Sequence, residues 1–194
     1  MPLELVEPGP RDEADLVAAC LRGDGSAQRT LFRREYPRVY ATVYRMLGSA
    51  RDADDVVQDA FIAAFRALPT FRGEARLSTW LDRIAVRLVY HHVALRRRAP
   101  VPLDVVEEPG GAPSEQLRAR EGLRRLYAAL GRLKPDARMA FALHAIDGRS
   151  VAEVATLTGT SRVAAKLRIW RARRQVEQLA EADPVLADYL GGRS

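Results

Sequence analysis

Apolar residues recur at helical spacing along most of the chain. Leu16, Val17, Cys20 and Leu21 form an i, i+1, i+4, i+5 stripe, and Val39, Val43, Met46 and Leu47 repeat it in a second segment. A third stripe runs through Val56, Val57, Ala60, Phe61, Ala64, Phe65 and Leu68, with Ser49 placed to cap its start and Pro69 to end it. The pattern then predicts a loop from Thr70 to Leu77 and a fourth helix from about Ser78 to Arg98. No alternating strand pattern occurs, so the expected fold class is all-α.

The sharpest local signal lies over residues 150–178. Ser150 and Glu153 have the spacing of a capping box, in which the serine caps a helix start and the glutamate reaches back to its amide. A short helix follows with Val151, Val154, Ala155 and Leu157 inward. Gly159 supplies a turn, and Ser161 caps a second helix. This is the layout of a helix-turn-helix, whose second helix enters the major groove of DNA. Ala165, Ile169, Ala172 and Val176 give that helix a core stripe. Lys166, Trp170, Arg171 and Arg174 stand opposite, flanked by Arg162, Arg168 and Arg173. No Asp or Glu occurs from Val154 to Val176. A solvated face usually mixes signs, so an acid-free basic face favours phosphate contact.

Charge divides the 194 residues into three stretches. Residues 1–98 carry a balance of +3, residues 99–115 a balance of −4 with no Lys or Arg, and residues 116–194 a balance of +7. The middle stretch also holds Pro100, Pro102, Pro109, Pro113, Gly110 and Gly111, which makes it extended and flexible. At about 3.4 Å per residue it reaches roughly 60 Å. The predicted organisation is a disordered N-terminal tail (1–11), a helical domain (12–98), an acidic linker (99–115), a helix-turn-helix domain (116–182) and a C-terminal tail (183–194). The net charge of +6 points to a polyanionic partner.

Other chemistry is thin. Cys20 is the only cysteine, so no intrachain disulfide forms. Of the histidines, His91 and His92 are adjacent and diverge on a helix, and His144 is remote, so no metal or other cofactor is expected. No glycine-rich phosphate cradle or nucleophile constellation is present, so the chain reads as a non-enzyme. Residues 1–10 lack the pattern of a signal peptide, and no run approaches the ~18 apolar residues of a membrane helix. An intracellular, cytoplasmic protein is expected.

The runs Asp54 to Phe61 (DDVVQDAF), Phe71 to Ala75 (FRGEA) and Ser78 to Ala85 (STWLDRIA) resemble region 2 of extracytoplasmic-function (ECF) sigma factors, specificity subunits of bacterial RNA polymerase in the sigma-70 family. Leu133 to Pro135 with Arg138, Asp147-Gly148, Ser150 to Ala155, and Lys166 to Arg173 resemble their region 4. The two blocks lie in the family's order and span roughly residues 12–180. The resemblance implies a subunit that binds core polymerase and recognises the minus-35 element as duplex and the minus-10 element as single strand. Asp55, Gln58 and Asp59 would dock on the clamp helices, and region 4 would sit on the flap. Phe71, Arg72, Gly73, Glu74, Ser78, Thr79 and Trp80 would form the pocket for a flipped minus-10 base, which needs a stacking surface and polar groups. Arg83, Arg87, Tyr90 and His91 would line the minus-10 helix, with the run Arg96 to Arg98 on phosphates. Arg162, Lys166, Leu167, Arg168, Trp170, Arg171, Arg173 and Arg174 would meet the minus-35 duplex. An anti-sigma protein that clamps both domains, soluble or in the membrane, would restrain the free factor, and the linker permits such a compact arrangement.

Departures from the family fall on base-reading positions. Arg87 stands where the family often has Asn, His91 where it has Asp, Val163-Ala164 where Gly-Thr is usual, and Leu167 where a small polar residue is common. These change the preferred bases. An autonomous helix-turn-helix regulator also explains residues 150–178, but leaves the basic fourth helix without a task. A helical module that binds acidic proteins is a further alternative, separated by the salt dependence of DNA affinity.

Overall fold

Short polar residues and left-handed glycines set the ends of the helices. The computed structural model describes residues 10–96 and 115–191. Within them lie α1 (Pro10–Leu21), α2 (Gly25–Leu47), α3 (Ala50–Ala67), α4 (Leu77–Arg96), α5 (Glu115–Gly131), α6 (Pro135–Phe141), α7 (Val151–Thr158), α8 (Arg162–Glu181) and α9 (Pro184–Gly191), with no strand among the described residues. Asp24 opens α2 by accepting from the amides of Ser26 (2.7 Å) and Ala27 (3.3 Å). Ser49 accepts from the Asp52 amide at 3.3 Å and opens α3, as its spacing predicts. Both halves of the Ser150–Glu153 box are made, at 3.2 and 2.9 Å, and Ser161 accepts from Ala164 at 3.1 Å. Each such cap is worth about 1 kcal/mol.

The expected linker from 99 to 114, Arg97 and Arg98, and residues 1–9 of the expected N-terminal tail lie outside the described residues. Residues 10 and 11 of that tail already belong to α1, and Glu115 to α5.

α1 to α4 form a bundle. Val39, Val43 and Met46 of α2 meet Val57, Ala60 and Phe61 of α3 and Leu81, Ala85 and Val89 of α4 in one buried cluster. Phe65 is half-buried; the rest of the predicted α3 stripe is buried. A second cluster joins Leu126, Tyr127 and Leu130 of α5 to Ala172 and Val176 of α8 and Leu186 of α9. Met139, Ala142, Leu143, Val154 and Leu157, from α6 to α7, belong to the first cluster rather than the second. The two halves of the chain are therefore packed together, with α4 against α6 and α7.

The end of the chain departs from expectation. Residues 183–194 read as a tail, yet α9 docks there. Asp183 accepts from the Leu186 amide at 3.2 Å, Pro184 occupies the first helical position, and Leu186 is buried. Tyr189 lies over Gly122 of α5, so closely that a Cβ on the glycine would collide with its ring. Eight residues are too few for a hydrophobic period to stand out, but the Asp-Pro start was a legible signal.

Candidate nucleic-acid interface

α4 buries one side and leaves the other basic. Leu81, Ala85, Val86, Val89 and Val93 point into the core, while Arg83, Arg87, Tyr90 and His91 recur at i, i+4, i+7 and i+8 on the exposed side. Before α4, a short 3₁₀ turn (Leu68–Thr70) leads into a loop. Phe71 and Trp80 pack against each other there, centroids 5.3 Å apart at 54°, half-buried against the core. Both rings thus serve the core and still show an edge to solvent. Arg72, Gly73 and Glu74 form the exposed tip, with Gly73 at a φ of +72°. Ser78 and Thr79 are half-buried in the first turn of α4. The loop base is fixed from both sides: Glu13 of α1 accepts from the Leu77 amide at 2.9 Å, and Arg38 of α2 donates to the Ser78 carbonyl at 3.1 Å.

The second helix of the helix-turn-helix carries its basic face outward. Arg162, Lys166, Arg171 and Arg174 are exposed, as are Val163 and Leu167. Trp170 is 53% exposed, with the Arg174 guanidinium 5.3 Å from its ring centre. It is a surface ring, not a core one. Such a pair holds the indole and guanidinium as one flat unit worth about 0.5–1 kcal/mol. Two other arginines are not free. Arg168 pairs with Asp136 of α6 at 3.2 Å, and Arg173 with Glu177 one turn on at 3.2 Å. The helix has no acid on that face over 154–176, but folding brings one from α6.

Asp55, Gln58 and Asp59 are all exposed on α3. Beside them runs a feature that the aliphatic stripes do not reveal. Phe32, Tyr36, Tyr40 and Tyr44 occupy every fourth position of α2, with successive centroids 5.1, 5.7 and 6.2 Å apart. Phe61 of α3 packs edge-on to Phe32 at 4.7 Å, and the Tyr36 hydroxyl donates to Asp54 at 3.4 Å. Burial and the Asp54 carboxylate together push the phenols of Tyr36 and Tyr40 above their ordinary range. Phe32, Tyr44 and Ile62 are exposed along this ladder. A row of aromatic rings bordered by carboxylates suits a partner helix carrying apolar and basic side chains. The four-residue period was visible in the sequence.

His91 is exposed, whereas His92 is half-buried with Nε2 3.7 Å from Asp52. Among the described residues, no group of three or more His, Cys, Asp or Glu is placed to hold a metal ion. No described helix is long and apolar enough to cross a membrane.

Comparison with known proteins matches both halves. Residues 31–99 fit the family described as Sigma-70 region 2, and residues 123–176 fit Sigma-70, region 4. The chain is 36% identical over 174 residues to the ECF RNA polymerase sigma-E factor of Escherichia coli (strain K12), covering 84% of this chain and 91% of that one. It is 34% identical over 196 residues to the ECF RNA polymerase sigma factor SigG of Mycobacterium tuberculosis (strain CDC 1551 / Oshkosh), covering 87% of this chain and 51% of that one. Among solved structures it is similar to CnrH in complex with the cytosolic domain of CnrY, at 31% identity and a TM-score of 0.60, covering 88% of this chain and 98% of that one. The sigma factor RpoE in complex with the anti-sigma factor NepR from Bartonella quintana shares the fold at 24% identity and a TM-score of 0.54, covering 80% of this chain and 97% of that one.

Proposed function

Because the chain belongs to the sigma-70 family of RNA polymerase sigma factors, in its ECF group, we propose how its exposed faces divide the work of starting transcription. The chain is a promoter-specificity subunit, and its partners are core RNA polymerase, promoter DNA and an anti-sigma protein. Residues 12–98 act as region 2, and residues 116–182, braced by α9, as region 4. The basic face of α8 meets the minus-35 duplex: Lys166, Arg171 and Arg174 hold phosphates or guanine edges, and Leu167 and Trp170 give apolar contact to thymine methyls and sugars. The 71–80 loop and the exposed side of α4 take the minus-10 strand. Phe71 and Trp80 wall the pocket of an extruded base, Arg72, Glu74, Ser78 and Thr79 read its edge, and Arg83, Arg87, Tyr90 and His91 hold the neighbouring nucleotides. Asp55, Gln58 and Asp59, with the Phe32–Tyr44 ladder, dock on the clamp helices of the polymerase.

The chain performs no bond-making of its own. Binding free energy to single-stranded DNA offsets the few kcal/mol of unstacking a flipped base, and nucleotide transfer belongs to the polymerase. As a subunit of that enzyme the chain works in the cytoplasm, at the nucleoid when free of its restrainer.

One observation carries this reading above an autonomous helix-turn-helix regulator. The row Arg83, Arg87, Tyr90 and His91, continued by the Phe71–Trp80 pair, is an exposed single-strand platform that a duplex-only regulator has no use for. Run-off transcription with purified core polymerase on a library of promoter sequences tests it. Initiation that requires the chain, and still occurs from a pre-melted bubble, is the expected result. Tight duplex binding as a free dimer without any core-dependent initiation would favour the regulator.

A further inference from the structure

The carbonyls that α2 leaves unpaired at its C-terminal end are capped by side chains from the other half of the molecule. The Tyr127 hydroxyl donates to the Arg45 carbonyl at 2.7 Å, and Arg138 Nη2 to the Leu47 carbonyl at 3.3 Å. Arg138 is buried there, a cation at the negative end of the helix dipole. Next to this contact an alternating chain of charges crosses the boundary. Arg38 and Arg149 both bind Asp82, at 2.5 and 3.2 Å. Arg149 also binds Asp147 at 2.8 Å, and Asp147 binds Arg45 in turn. The side chains of Asp82 and Asp147 are only 4% and 1% exposed. A wider helical turn over Ala142–Ile146 aims Asp147 at this point. Met139 and Leu143 share one apolar cluster with Val43, Met46 and Val89 behind it.

The closure has a consequence for DNA. The basic row of α4 becomes one wall of a cleft. The opposite wall is Asp136 of α6, the 156–160 turn before α8, and Arg168. Asp136 sits close enough to Tyr90 to be the main cause of its raised phenol pKa, so a negative charge occupies the place a phosphate would take. The outer face of α8, by contrast, stays open. Minus-10 and minus-35 elements lie tens of ångströms apart on a duplex rising about 3.4 Å per base pair. Two helices in one packed body cannot read both.

Resting on the reading of α4 and α8 as the two promoter-facing helices, we infer that the chain shuts itself. The Arg38–Asp82–Arg149–Asp147–Arg45 network and the Tyr127 and Arg138 caps hold region 4 across the minus-10 face, with no second protein required. Core polymerase acts by separating the two halves, and the 18 residues between α4 and α5 span roughly 60 Å at about 3.4 Å each, enough to let them part. An anti-sigma protein then stabilises a state the chain already holds.

Fluorescence energy transfer in the full chain tests this, with dyes on Arg66→Cys and Gln178→Cys, both exposed, and the buried Cys20 replaced by Ser. The free protein should show a single high-transfer state. Arg45→Glu, which sets a carboxylate against Asp147, should lower the transfer. Arg51→Glu, the same charge change at an exposed position outside the network, should not. Short random-sequence single-stranded DNA, without polymerase, should bind Arg45→Glu about tenfold more tightly, as for a closed state populated about nine times in ten. Tyr127→Phe, which removes one hydroxyl and cannot unfold α2, should shift transfer in the same direction by less. Low transfer in the unmodified chain, or equal transfer in Arg45→Glu, Tyr127→Phe and Arg51→Glu, would overturn the inference. So would core polymerase binding with transfer unchanged. Core polymerase that never binds would instead sink the sigma-factor reading and leave the transfer result standing.

Discussion

The ring of Tyr127 covers Gly48 so closely that a Cβ on the glycine would meet the ring carbons at 2.5 Å. Gly48 is also the left-handed cap of α2, at a φ of +72°. Gly48→Ala therefore carries two separate costs: about 1–2 kcal/mol for a side chain in the left-handed region, and displacement of Tyr127 from its bond to the Arg45 carbonyl. The melting temperature followed by circular dichroism should fall by about 5–10 °C, at roughly 2–4 °C per kcal/mol for a chain of this size. Tyr127→Phe keeps the ring and loses one hydrogen bond, so it should fall by less than half as much.

The docking of α9 makes a similar prediction for the other end. Leu186 is 1% exposed among α5 and α8 side chains. Leu186→Ala should cost about 2–5 kcal/mol by urea unfolding, and limited proteolysis should then cut before Pro184. Gly122→Ala approaches the same contact from α5, because its Cβ would collide with Tyr189. An unchanged midpoint in both would mean that α9 contributes nothing to the fold.

Most of the architecture was legible because it rests on short-range rules. The period of Val56 to Leu68 marked α3, and Ser49, Ser150 and Ser161 marked three helix starts, each confirmed by a hydrogen bond within three residues. What stayed hidden depends on distant partners. Trp170 and Trp80 look alike in sequence, yet one is a surface ring beside Arg174 and the other is packed on Phe71. Arg168 belongs to the same acid-free run as Arg171, but Asp136, brought in by α6, pairs with it. Nothing within a few residues of Arg45 indicates that its partner lies at 147. The aromatic ladder from Phe32 to Tyr44 is a different case: its period is local, but it runs along a solvent-facing edge that aliphatic stripes do not mark.

Glu121 gives a pH prediction. A hydrogen bond from Arg124, aided by Arg125, holds its carboxyl down at about 2 against an ordinary 4.5. A depressed acid stabilises the fold above its unfolded pKa. That contribution is lost as pH falls from about 4.5 through about 2. A carbon-detected NMR titration should place the Glu121 midpoint well below those of exposed glutamates, and Arg124→Ala should move it back up. A midpoint near 4.5 in the unmodified protein would remove the pair from the account of α5 stability.

Docking on the polymerase should depend on charge and rings together. Asp55→Arg reverses an exposed charge on α3 and should weaken core binding by about tenfold, chiefly through slower association and with strong salt dependence. Tyr40→Ala opens the middle of the α2 ladder and should weaken binding by a similar or larger factor through faster dissociation, as aromatic anchors do. Biolayer interferometry against immobilised core separates the two. Neither change should alter affinity for minus-35 duplex.

The arginines of α8 should not contribute equally to duplex binding, and their partners say which will matter. A phosphate contact shows itself in the slope of log K against log salt, about 0.9 per contact released on B-form DNA. Arg171 is exposed and carries none of the acidic partners that hold Arg168 and Arg173. Arg171→Ala should weaken binding across all sequences and reduce the slope by about one. Arg173 must first leave Glu177, and Arg168 must leave Asp136, so each has an internal competitor for the phosphate. Alanine at either should change the slope by less than Arg171→Ala does. Trp170 carries no charge, so Trp170→Ala should leave the slope intact while lowering affinity in a sequence-dependent way, through lost contact with bases and a less ordered Arg174. Fluorescence anisotropy on selected minus-35 duplexes at several KCl concentrations reads all four variants. Equal slopes for Arg171→Ala and the unmodified protein would move the duplex to another face of the molecule.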